Sequence, residues 1–244
     1  MNTPNSTECF LMNYYLKKYK SIATIFFFLL ISLSQYLNAQ VDTIFTFRNL
    51  AVPTALMTTG IILNKESTKT NIQEKVQSTF PNFDNRLDDY LMIAPTALDL
   101  IYTLSDKKSN NKKHISDIII GEVAMYITTK SLKKIIGSRR PNGGGQAFPS
   151  GHTSQAFTGA TLFFHHYKDE NPWIASSGFL LASATGAFRV LNNRHWVSDV
   201  FFGAGLGILV GNLTYYFNPI GKGNLDSNVQ INVNGSGLAL EVRF

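Results

Sequence analysis

A histidine and an aspartate four residues apart, His195 and Asp199, are the first side chains in this sequence whose spacing suggests chemistry. Residues at this spacing share one face of a helix, so the carboxylate can hold one imidazole nitrogen. Such a bond fixes the tautomer and exposes the other nitrogen as a nucleophile. Arg189 adds a two-pronged donor suited to a phosphate. A His–Asp pair alone is more often structural, so the interpretation depends on other segments.

A basic segment precedes this pair. Lys133 and Arg140 are seven residues apart, which is two helical turns if the helix continues, and both would then point the same way. Pro141 is expected to end that helix. Two cations on one face are costly unless an anion joins them, which favours an anion site. Taken alone, the segment fits a solvated basic helix end equally well.

A glycine-rich loop connects the two segments. Gly143, Gly144 and Gly145 allow backbone N–H groups to approach an anion closely. Ser150 is a favourable N-cap for a helix that begins near Gly151. The dipole and free N–H groups of such a helix start favour a phosphate. His152 lies in this first turn. Without the other segments, a flexible loop with a capping histidine would be the simpler interpretation.

Taken together, the three segments resemble the type 2 phosphatidic acid phosphatase and vanadium haloperoxidase superfamily. The shared pattern is K-x(6)-R-P, then P-S-G-H, then R-x(5)-H-x(3)-D, and it covers residues 133–199. One position departs from it, because Phe188 stands where the family usually has serine before the arginine. One hydrogen bond to the phosphate is therefore missing or supplied elsewhere.

The resemblance implies a role for each matching residue. The phosphate oxygens would be bound by three cations, one hydroxyl and one backbone N–H, from Lys133, Arg140, Arg189, Ser150 and Gly151. His195 would attack phosphorus, and Asp199 would orient His195 and stabilise its positive charge. His152 would protonate the leaving oxygen and then activate water.

No cofactor or metal is expected. Three cations and helix N–H groups match the negative charge that a phosphoryl group spreads over its oxygens during transfer. No other His, Asp and Glu cluster in the sequence has metal-ligand spacing. His114, His165 and His166 are expected to be surface or core residues.

Apolar stretches predict the elements that must position these residues. Their length and composition favour helices over about 50–63, 91–104, 115–136, 151–166, 174–190 and 197–217. The fold class is therefore all-α, a helical bundle of about six helices. The polar break Asn64 to Asp89 offers only an amphipathic helix near Phe83 to Tyr90. Alternation around the turn at 234–237 predicts a small C-terminal β-hairpin.

Four segments follow from this organisation. Residues 1–39 are a signal peptide or N-terminal anchor, because a basic stretch precedes an apolar core of roughly 14 residues. An N-terminal helical segment over 40–90 and a phosphatase helical core over 91–220 follow, and 221–244 form the hairpin tail. The expected location is the bacterial cell envelope, at the periplasmic face. Whether the core is transmembrane or a soluble periplasmic bundle stays open.

The composition of the chain limits the classes of molecule that it is expected to bind. Charged residues make up 16% and the net charge is +6, and the charged share is below the soluble average of about 25%. No aromatic-basic motif indicates nucleic acid, whereas an anionic membrane or a phosphorylated substrate fits the charge. The leading expectation is a metal-independent phosphatase that acts on a lipid phosphate.

Three alternatives stay open. A mean hydropathy of −0.01 favours a periplasmic nonspecific acid phosphatase with the same residues. A vanadium haloperoxidase would hold vanadate in the same pocket. A catalytically silent envelope protein would use the hairpin to bind a partner, although the complete set of catalytic positions argues against it.

Overall fold

A computed structural model describes residues 47–105, 111–218 and 220, together with the backbone of 229–234 and 237–242. The helices are α1 (Phe47–Leu63), α2 (Glu66–Thr79), α3 (Leu87–Leu91), α4 (Ala94–Ser105), α5 (Asn111–Ile136), α6 (Gly151–Tyr167), α7 (Pro172–Leu191) and α8 (Val197–Phe217). The prediction of an all-α fold is confirmed. The leader predicted over 1–39 lies outside the described residues.

The six helices predicted from apolar stretches are confirmed as α1 and α4 to α8. Capping residues in the sequence explain where some of these helices begin. The Asn171 side chain accepts a hydrogen bond from the Ile174 N–H at 3.1 Å, and Pro172 occupies the first helical position of α7. Both residues suit a helix start, because the cap satisfies a free N–H and proline needs none.

The prediction for the polar segment after α1 is wrong in part. It contains the 14-residue helix α2, and the short helix near its end is α3 (Leu87–Leu91) rather than Phe83 to Tyr90. Helix α2 makes polar contacts with the α7–α8 connection. The buried Gln73 donates to the Val190 carbonyl at 3.0 Å and to Asn193 Oδ1 at 2.8 Å. Hydrophobic periodicity cannot reveal a helix held in this way.

Helix α6 forms the centre of the bundle. It packs against α4, α5, α7 and α8, and α1 packs against α8. Glycines allow α8 to lie close to α6, since a Cβ at Gly207 would stand 2.4 Å from the Ser154 carbonyl oxygen. The starts of these two helices are joined by a hydrogen bond of 3.0 Å from the Ser150 N–H to the Asp199 carbonyl. Close packing thus brings two motif segments together.

Helices α7 and α8 are each long and apolar enough to cross a membrane by length and composition alone. The most apolar window of α8 is 56% buried within the bundle, and that of α7 is 39% buried. A core helix of a soluble protein passes the same test, so this feature alone does not decide the location.

The backbone near the C-terminus traces two short strands, β1 (Val229–Asn234) and β2 (Gly237–Val242). They run antiparallel, with Val229 opposite Val242. Their side chains lie outside the described part of the chain. A stable hairpin at this end stays a prediction from the sequence.

Candidate active site

A cavity of about 240 Å³ opens at the end of the bundle where α5 ends and α6 begins. Its lining residues are Tyr126, Thr129, Lys130, Lys133, Arg140, Gly151, His152, Gln155 and His195. Five of the eight residues predicted from the sequence thus share one cavity. The other three, Ser150, Arg189 and Asp199, are buried and do not line it.

His195 is held by backbone and carboxylate contacts. Its N–H donates to the Arg189 carbonyl at 3.1 Å, and its Nδ1 pairs with Asp199 Oδ2 at 3.1 Å. The same Asp199 oxygen accepts the Trp196 N–H at 3.0 Å. Because a carboxylate accepts the Nδ1 proton, Nε2 keeps its lone pair. The predicted pairing is therefore present.

The predicted shared helix face of His195 and Asp199 is wrong. Helix α8 begins at Val197, so His195 precedes it and Asp199 lies in its first turn. The carboxylate reaches back to the residues before the helix, as acidic side chains at this position do to satisfy free N–H groups. This geometry fixes the histidine relative to the helix start.

Lys133 and Arg140 reach the cavity by a different route from the one predicted. Helix α5 ends at Ile136 and Gly137 follows with φ of 65°, so the helix stops before Pro141 and the two cations share no helix face. Left-handed backbone of this kind favours glycine and is common after a helix end. Lys133 Nζ donates to the Gln146 and Ala147 carbonyls at 3.0 and 2.9 Å, which fixes the glycine-rich loop.

The cations shape the electrostatics of the cavity. Burial, followed by the positive charge of Arg140, lowers the pKa of Lys133 to about 8. Burial, with the charges of Lys133 and Arg189, also holds the pKa of His195 well below its usual value of 6.5. Both shifts show a site that disfavours further positive charge. An anion would be stabilised here, and the His195 imidazole is neutral near pH 7.

Ser150 and Gly151 form the start of α6 as predicted, but not through a side-chain cap. Ser150 Oγ lies 2.8 Å from Thr153 Oγ1 and makes no capping hydrogen bond. The hydroxyl is fully buried, and Gly151 is the residue that reaches the cavity. Direct phosphate binding by Ser150 stays a prediction.

Arg189 is 2% exposed and is bound by a carboxylate that the sequence motifs do not include. Its NH1 atom lies 2.5 Å from Asp88 Oδ2 and 3.6 Å from Asp89 Oδ1. Asn192 Nδ2 donates to the other Asp88 oxygen at 3.0 Å. The Arg189 Nε atom is buried and has no hydrogen-bond partner among the described residues.

The neighbouring carboxylate, Asp89, lies beside the second catalytic candidate. Its Oδ1 is 2.9 Å from His152 Nε2. Sequence reasoning missed Asp88 and Asp89, although one signal was present. A buried arginine needs a carboxylate partner, and Asp88 and Asp89 are two adjacent acids in the sequence.

Phe188 supplies packing at the position where a serine was expected. Its ring stacks on Phe83 with centroids 5.8 Å apart and planes 15° apart. A different hydroxyl is placed at the cavity. Thr129 Oγ1 is buried in the wall and has no hydrogen-bond partner within the part of the chain that the structure describes.

Two other histidines lie toward the far end of α6 and contribute nothing to the cavity lining. His166 is bound between Asp99 and Asp117, and His165 Nε2 lies 2.8 Å from Asn212 Oδ1. Both side chains belong to the core.

Comparison with known proteins finds relatives of this chain in sequence. A sequence model described as the PAP2 superfamily matches residues 115–220. A curated relative, the lipid A 1-phosphatase of Porphyromonas gingivalis, is 36% identical over 155 residues. That match covers 62% of this chain and 35% of the relative, so the chain spans about a third of that protein's length.

Two solved structures are similar. A transmembrane PAP2-type phosphatidylglycerolphosphate phosphatase from Bacillus subtilis has a TM-score of 0.50 at 18% identity and covers 68% of this chain and 96% of its own. Aquifex aeolicus LpxE has a TM-score of 0.43 at 26% identity and covers 59% of this chain and 94% of its own. The similarity to the Bacillus subtilis enzyme, at 18% identity, is a similarity of fold. The helical core of this chain, over residues 115–220, is thus similar in sequence to the PAP2 superfamily.

Proposed function

We propose that this protein is a lipid phosphatase that works without a metal and forms a transient phosphohistidine at His195. The observation that carries the proposal is the position of His195. One ring nitrogen is bound by Asp199, and the ring lines a cavity together with Lys133 and Arg140. A neutral, oriented imidazole beside converging cations is suited to attack a phosphoryl group.

The first step transfers the phosphoryl group. The lone pair of His195 Nε2 attacks phosphorus, the N–P bond forms, and the bond from phosphorus to the leaving oxygen breaks. His152 gives its proton to that oxygen, so the alcohol leaves neutral. Asp199 stabilises the imidazolium that forms, because its carboxylate already holds Nδ1.

The second step regenerates the enzyme. His152, now neutral, takes a proton from a water molecule, and the resulting hydroxide attacks phosphorus. The N–P bond breaks, inorganic phosphate leaves, and His195 returns to its neutral form. Throughout both steps the charge on the phosphoryl oxygens is stabilised by Lys133, Arg140 and the Gly151 N–H, which line the cavity. The buried Arg189 and Ser150 lie outside this lining, and their contact with the phosphate is part of the proposal.

A lipid substrate is supported by apolar side chains exposed on two helices of the bundle. Large apolar side chains are exposed along α4 and α5, namely Leu100, Ile101, Leu104, Ile119, Val123 and Ile127. Large apolar side chains exposed in such numbers are typical of contact with membranes or partners. The curated relative is a lipid phosphatase by name, and the net charge of +6 suits an anionic surface. We place the protein in or on a bacterial membrane, with the site at the periplasmic face.

A second candidate is a nonspecific acid phosphatase acting on soluble phosphomonoesters. The mean hydropathy of −0.01 favours it, because proteins with many spanning helices are usually more apolar. The two candidates share the chemistry and differ in the leaving group.

The test measures phosphate release by detergent-solubilised protein in EDTA. A lipid phosphate and p-nitrophenyl phosphate are offered side by side, and the phosphoenzyme is trapped by acid-free quenching, since phosphohistidine is acid-labile. EDTA-resistant turnover, faster on the lipid, with a trapped phosphate that is missing in His195→Ala, is the expected result.

The chain offers a matched control. Arg140 lines the cavity, whereas the adjacent Arg139 is exposed and does not line it. Arg140→Gln should lose at least about tenfold in kcat/KM, as expected for a charged hydrogen bond to phosphate, while Arg139→Gln stays near wild type. Equal losses in both variants, or activity that EDTA removes, would contradict the proposal.

A further inference from the structure

Trp196 connects the segment of the nucleophile with the basic loop that follows α5. It comes directly after His195 and directly before α8. Its backbone N–H donates to Asp199 Oδ2 at 3.0 Å, the same oxygen that pairs with His195 Nδ1. Its indole Nε1–H donates to the main-chain carbonyl of Arg139 at 2.9 Å, across 57 positions of the chain. One residue therefore contacts both the carboxylate that orients His195 and the peptide bond that precedes Arg140.

Arg140 needs such a contact because it lies in a loop rich in glycine. Three glycines follow it at 143–145, and all of them are exposed. Glycine leaves the backbone more freedom than any other residue, so bonds from outside the loop must fix its path. Lys133 Nζ holds the second half of the loop through two carbonyls, at 3.0 and 2.9 Å. The indole of Trp196 holds the first half, one residue before the cation that lines the cavity.

Helix α2 contacts the ring of Trp196. Lys69 Nζ lies 5.0 Å from the ring centroid, and the Lys69 side chain is 11% exposed. A cation over an indole face is attracted by the ring, and more strongly when it is shielded from water. Gln73 and Gln77 follow Lys69 at four-residue spacing, so the three side chains share one helix face, and they donate to carbonyls at the end of α7 at 3.0 and 3.1 Å. This face of α2 therefore holds the chain on both sides of His195, although α2 lies outside the region that matches the family model.

We propose that Trp196 is a positioning residue whose indole N–H fixes Arg140 relative to His195, so that the guanidinium meets the phosphoryl group that the imidazole attacks. The inference rests on the proposed phosphatase function and deepens it. Trp196 is not among the residues that line the cavity, so it acts through Arg140 rather than on the substrate. A displacement of about 1 Å at a substrate-binding group can cost about 10²-fold in rate, even when the substitution lies away from the chemistry.

The experiment begins with Trp196→Phe, which keeps an aromatic ring beside Lys69 and removes the N–H donor. In the full chain in detergent, kcat/KM for a lipid phosphate should fall about tenfold, because Arg140 loses its alignment with the phosphate. The inhibition constant of inorganic phosphate, the product, should rise by a similar factor. Trp173→Phe is the matched control, since Trp173 is the other of the two tryptophans and is 87% exposed at the start of α7. This control should stay within about twofold of wild type, as surface substitutions usually do.

A double-mutant cycle with Arg140→Gln separates positioning from a general structural role. Where the guanidinium is already missing, the indole N–H has no cation left to position. Trp196→Phe should therefore change kcat/KM and the phosphate inhibition constant by less than about twofold in the Arg140→Gln background. A residue that only stabilises the fold would cause the same loss in both backgrounds. The acceptor of the indole N–H is a main-chain carbonyl, so Arg139→Gln keeps this bond and its activity.

Lys69→Gln tests the same arrangement if Trp196→Phe does not fold. It leaves the indole N–H in place and removes the cation over the ring, so a smaller loss in kcat/KM, of about twofold to fourfold, is expected. This loss should also disappear in the Arg140→Gln background. Lys75→Gln is the control, because Lys75 is exposed on the same helix, and it should match wild type.

The outcomes separate the positioning role from the chemistry. A folded Trp196→Phe protein with wild-type kcat/KM, or an equal loss in both backgrounds, overturns the positioning role and leaves the phosphatase proposal standing. The same two results for Lys69→Gln decide the question if Trp196→Phe does not fold, and thermal unfolding in the same detergent shows whether it does. A wild-type protein that releases no phosphate from a lipid phosphate or from p-nitrophenyl phosphate overturns both proposals together.

Discussion

Helix α6 carries a histidine near each of its ends, and each end of the bundle holds a histidine bound to aspartate. At the far end both ring nitrogens of His166 are engaged, Nδ1 by Asp99 at 2.8 Å and Nε2 by Asp117 at 3.1 Å. At the near end Asp199 takes Nδ1 of His195, and the ring lines a cavity. A His–Asp pair therefore becomes a candidate for chemistry only when one nitrogen is left for a ligand.

The surrounding charges differ in the same way. Asp117 at the far end also accepts hydrogen bonds from Lys113 and from Asn218 Nδ2, the latter at 2.7 Å. At the far end each carboxylate therefore has hydrogen-bond donors, and a buried network satisfied in this way is rigid. The near end gathers Lys133 and Arg140 around the cavity, and the Arg140 Nε atom has no partner among the described residues. The near end is arranged for an anion and the far end for stability.

The largest expected effect separates the two histidines. His195→Ala should lower kcat by about 10⁴-fold or more, because it removes the nucleophile, and should leave the melting temperature close to wild type. His166→Ala should keep kcat per folded molecule within a fewfold. It should lower the free energy of unfolding by about 3–5 kcal/mol, since it removes the buried partner that Asp99 and Asp117 share.

Phosphate release and thermal unfolding in the same detergent measure both quantities. A large loss of kcat in a folded His166→Ala protein would contradict the purely structural role that we assign to His166.

The next effect concerns Asp89, which we infer to be a positioning residue that acts through His152. Asp89→Asn should lower kcat by about 10²-fold on a lipid phosphate, because His152 loses the carboxylate that holds its proton and orients its ring. p-Nitrophenol needs no proton to leave, so the loss on p-nitrophenyl phosphate should be much smaller. Asp89→Glu should restore part of the lipid activity.

The control for this prediction is Asp84, an acid in the connection just before α3, the helix that contains Asp89. Asp84→Asn should change neither substrate's kcat. Equal losses on both substrates in Asp89→Asn would indicate a structural role for Asp89.

The pH dependence of binding gives a smaller effect, specific to the near end. With the pKa of Lys133 at about 8, the ammonium loses its proton as the pH rises above that value. The logarithm of kcat/KM should then fall with pH above about 8, as expected for loss of a positive charge that binds phosphate. Lys133→Arg should extend the plateau upward, since a guanidinium stays charged.

Lys113→Arg is the matched change at the far end and should leave the profile in place. A profile that falls at the same pH in wild type and Lys133→Arg would show that another group titrates there.

The sequence predicted most of this arrangement, and the errors have a common cause. The six apolar helices and the motif positions Lys133, His152 and His195 are visible because each has a strong local pattern. The bounds of α2 and the role of Gln73 were missed, because Gln73 bonds to the end of α7 and the loop after it, more than a hundred residues away. Periodicity records burial of apolar faces and is silent on such contacts.

The same limit applies to details within the motifs. The spacing of Lys133 and Arg140 suggested a helix face, but Gly137 ends the helix first and the loop returns Arg140 to the cavity. Asp88 and Asp89 lie outside the matched family region, which begins at residue 115. Chain spacing therefore identified the groups that converge, and only the folded chain showed how they do so.

The smallest expected effect contrasts two threonine hydroxyls. Thr129 Oγ1 is buried at the catalytic cavity without a partner among the described residues, whereas Thr103 Oγ1 lies 2.8 Å from the Tyr167 hydroxyl at the far end. If Thr129 supplies the phosphate hydrogen bond that Phe188 cannot, Thr129→Val should raise KM about threefold to tenfold. Its free energy of unfolding should stay equal to wild type or rise, because an unsatisfied buried hydroxyl is removed.

Thr103→Val should do the opposite, lowering the free energy of unfolding by about 1 kcal/mol with KM unchanged. Steady-state kinetics and thermal unfolding measure KM and stability for both valine variants. We expect KM to change only in Thr129→Val and stability to fall only in Thr103→Val. If Thr129→Val left KM unchanged and lowered stability, the hydroxyl would belong to the packing of α5, and the phosphate would have to be bound without it.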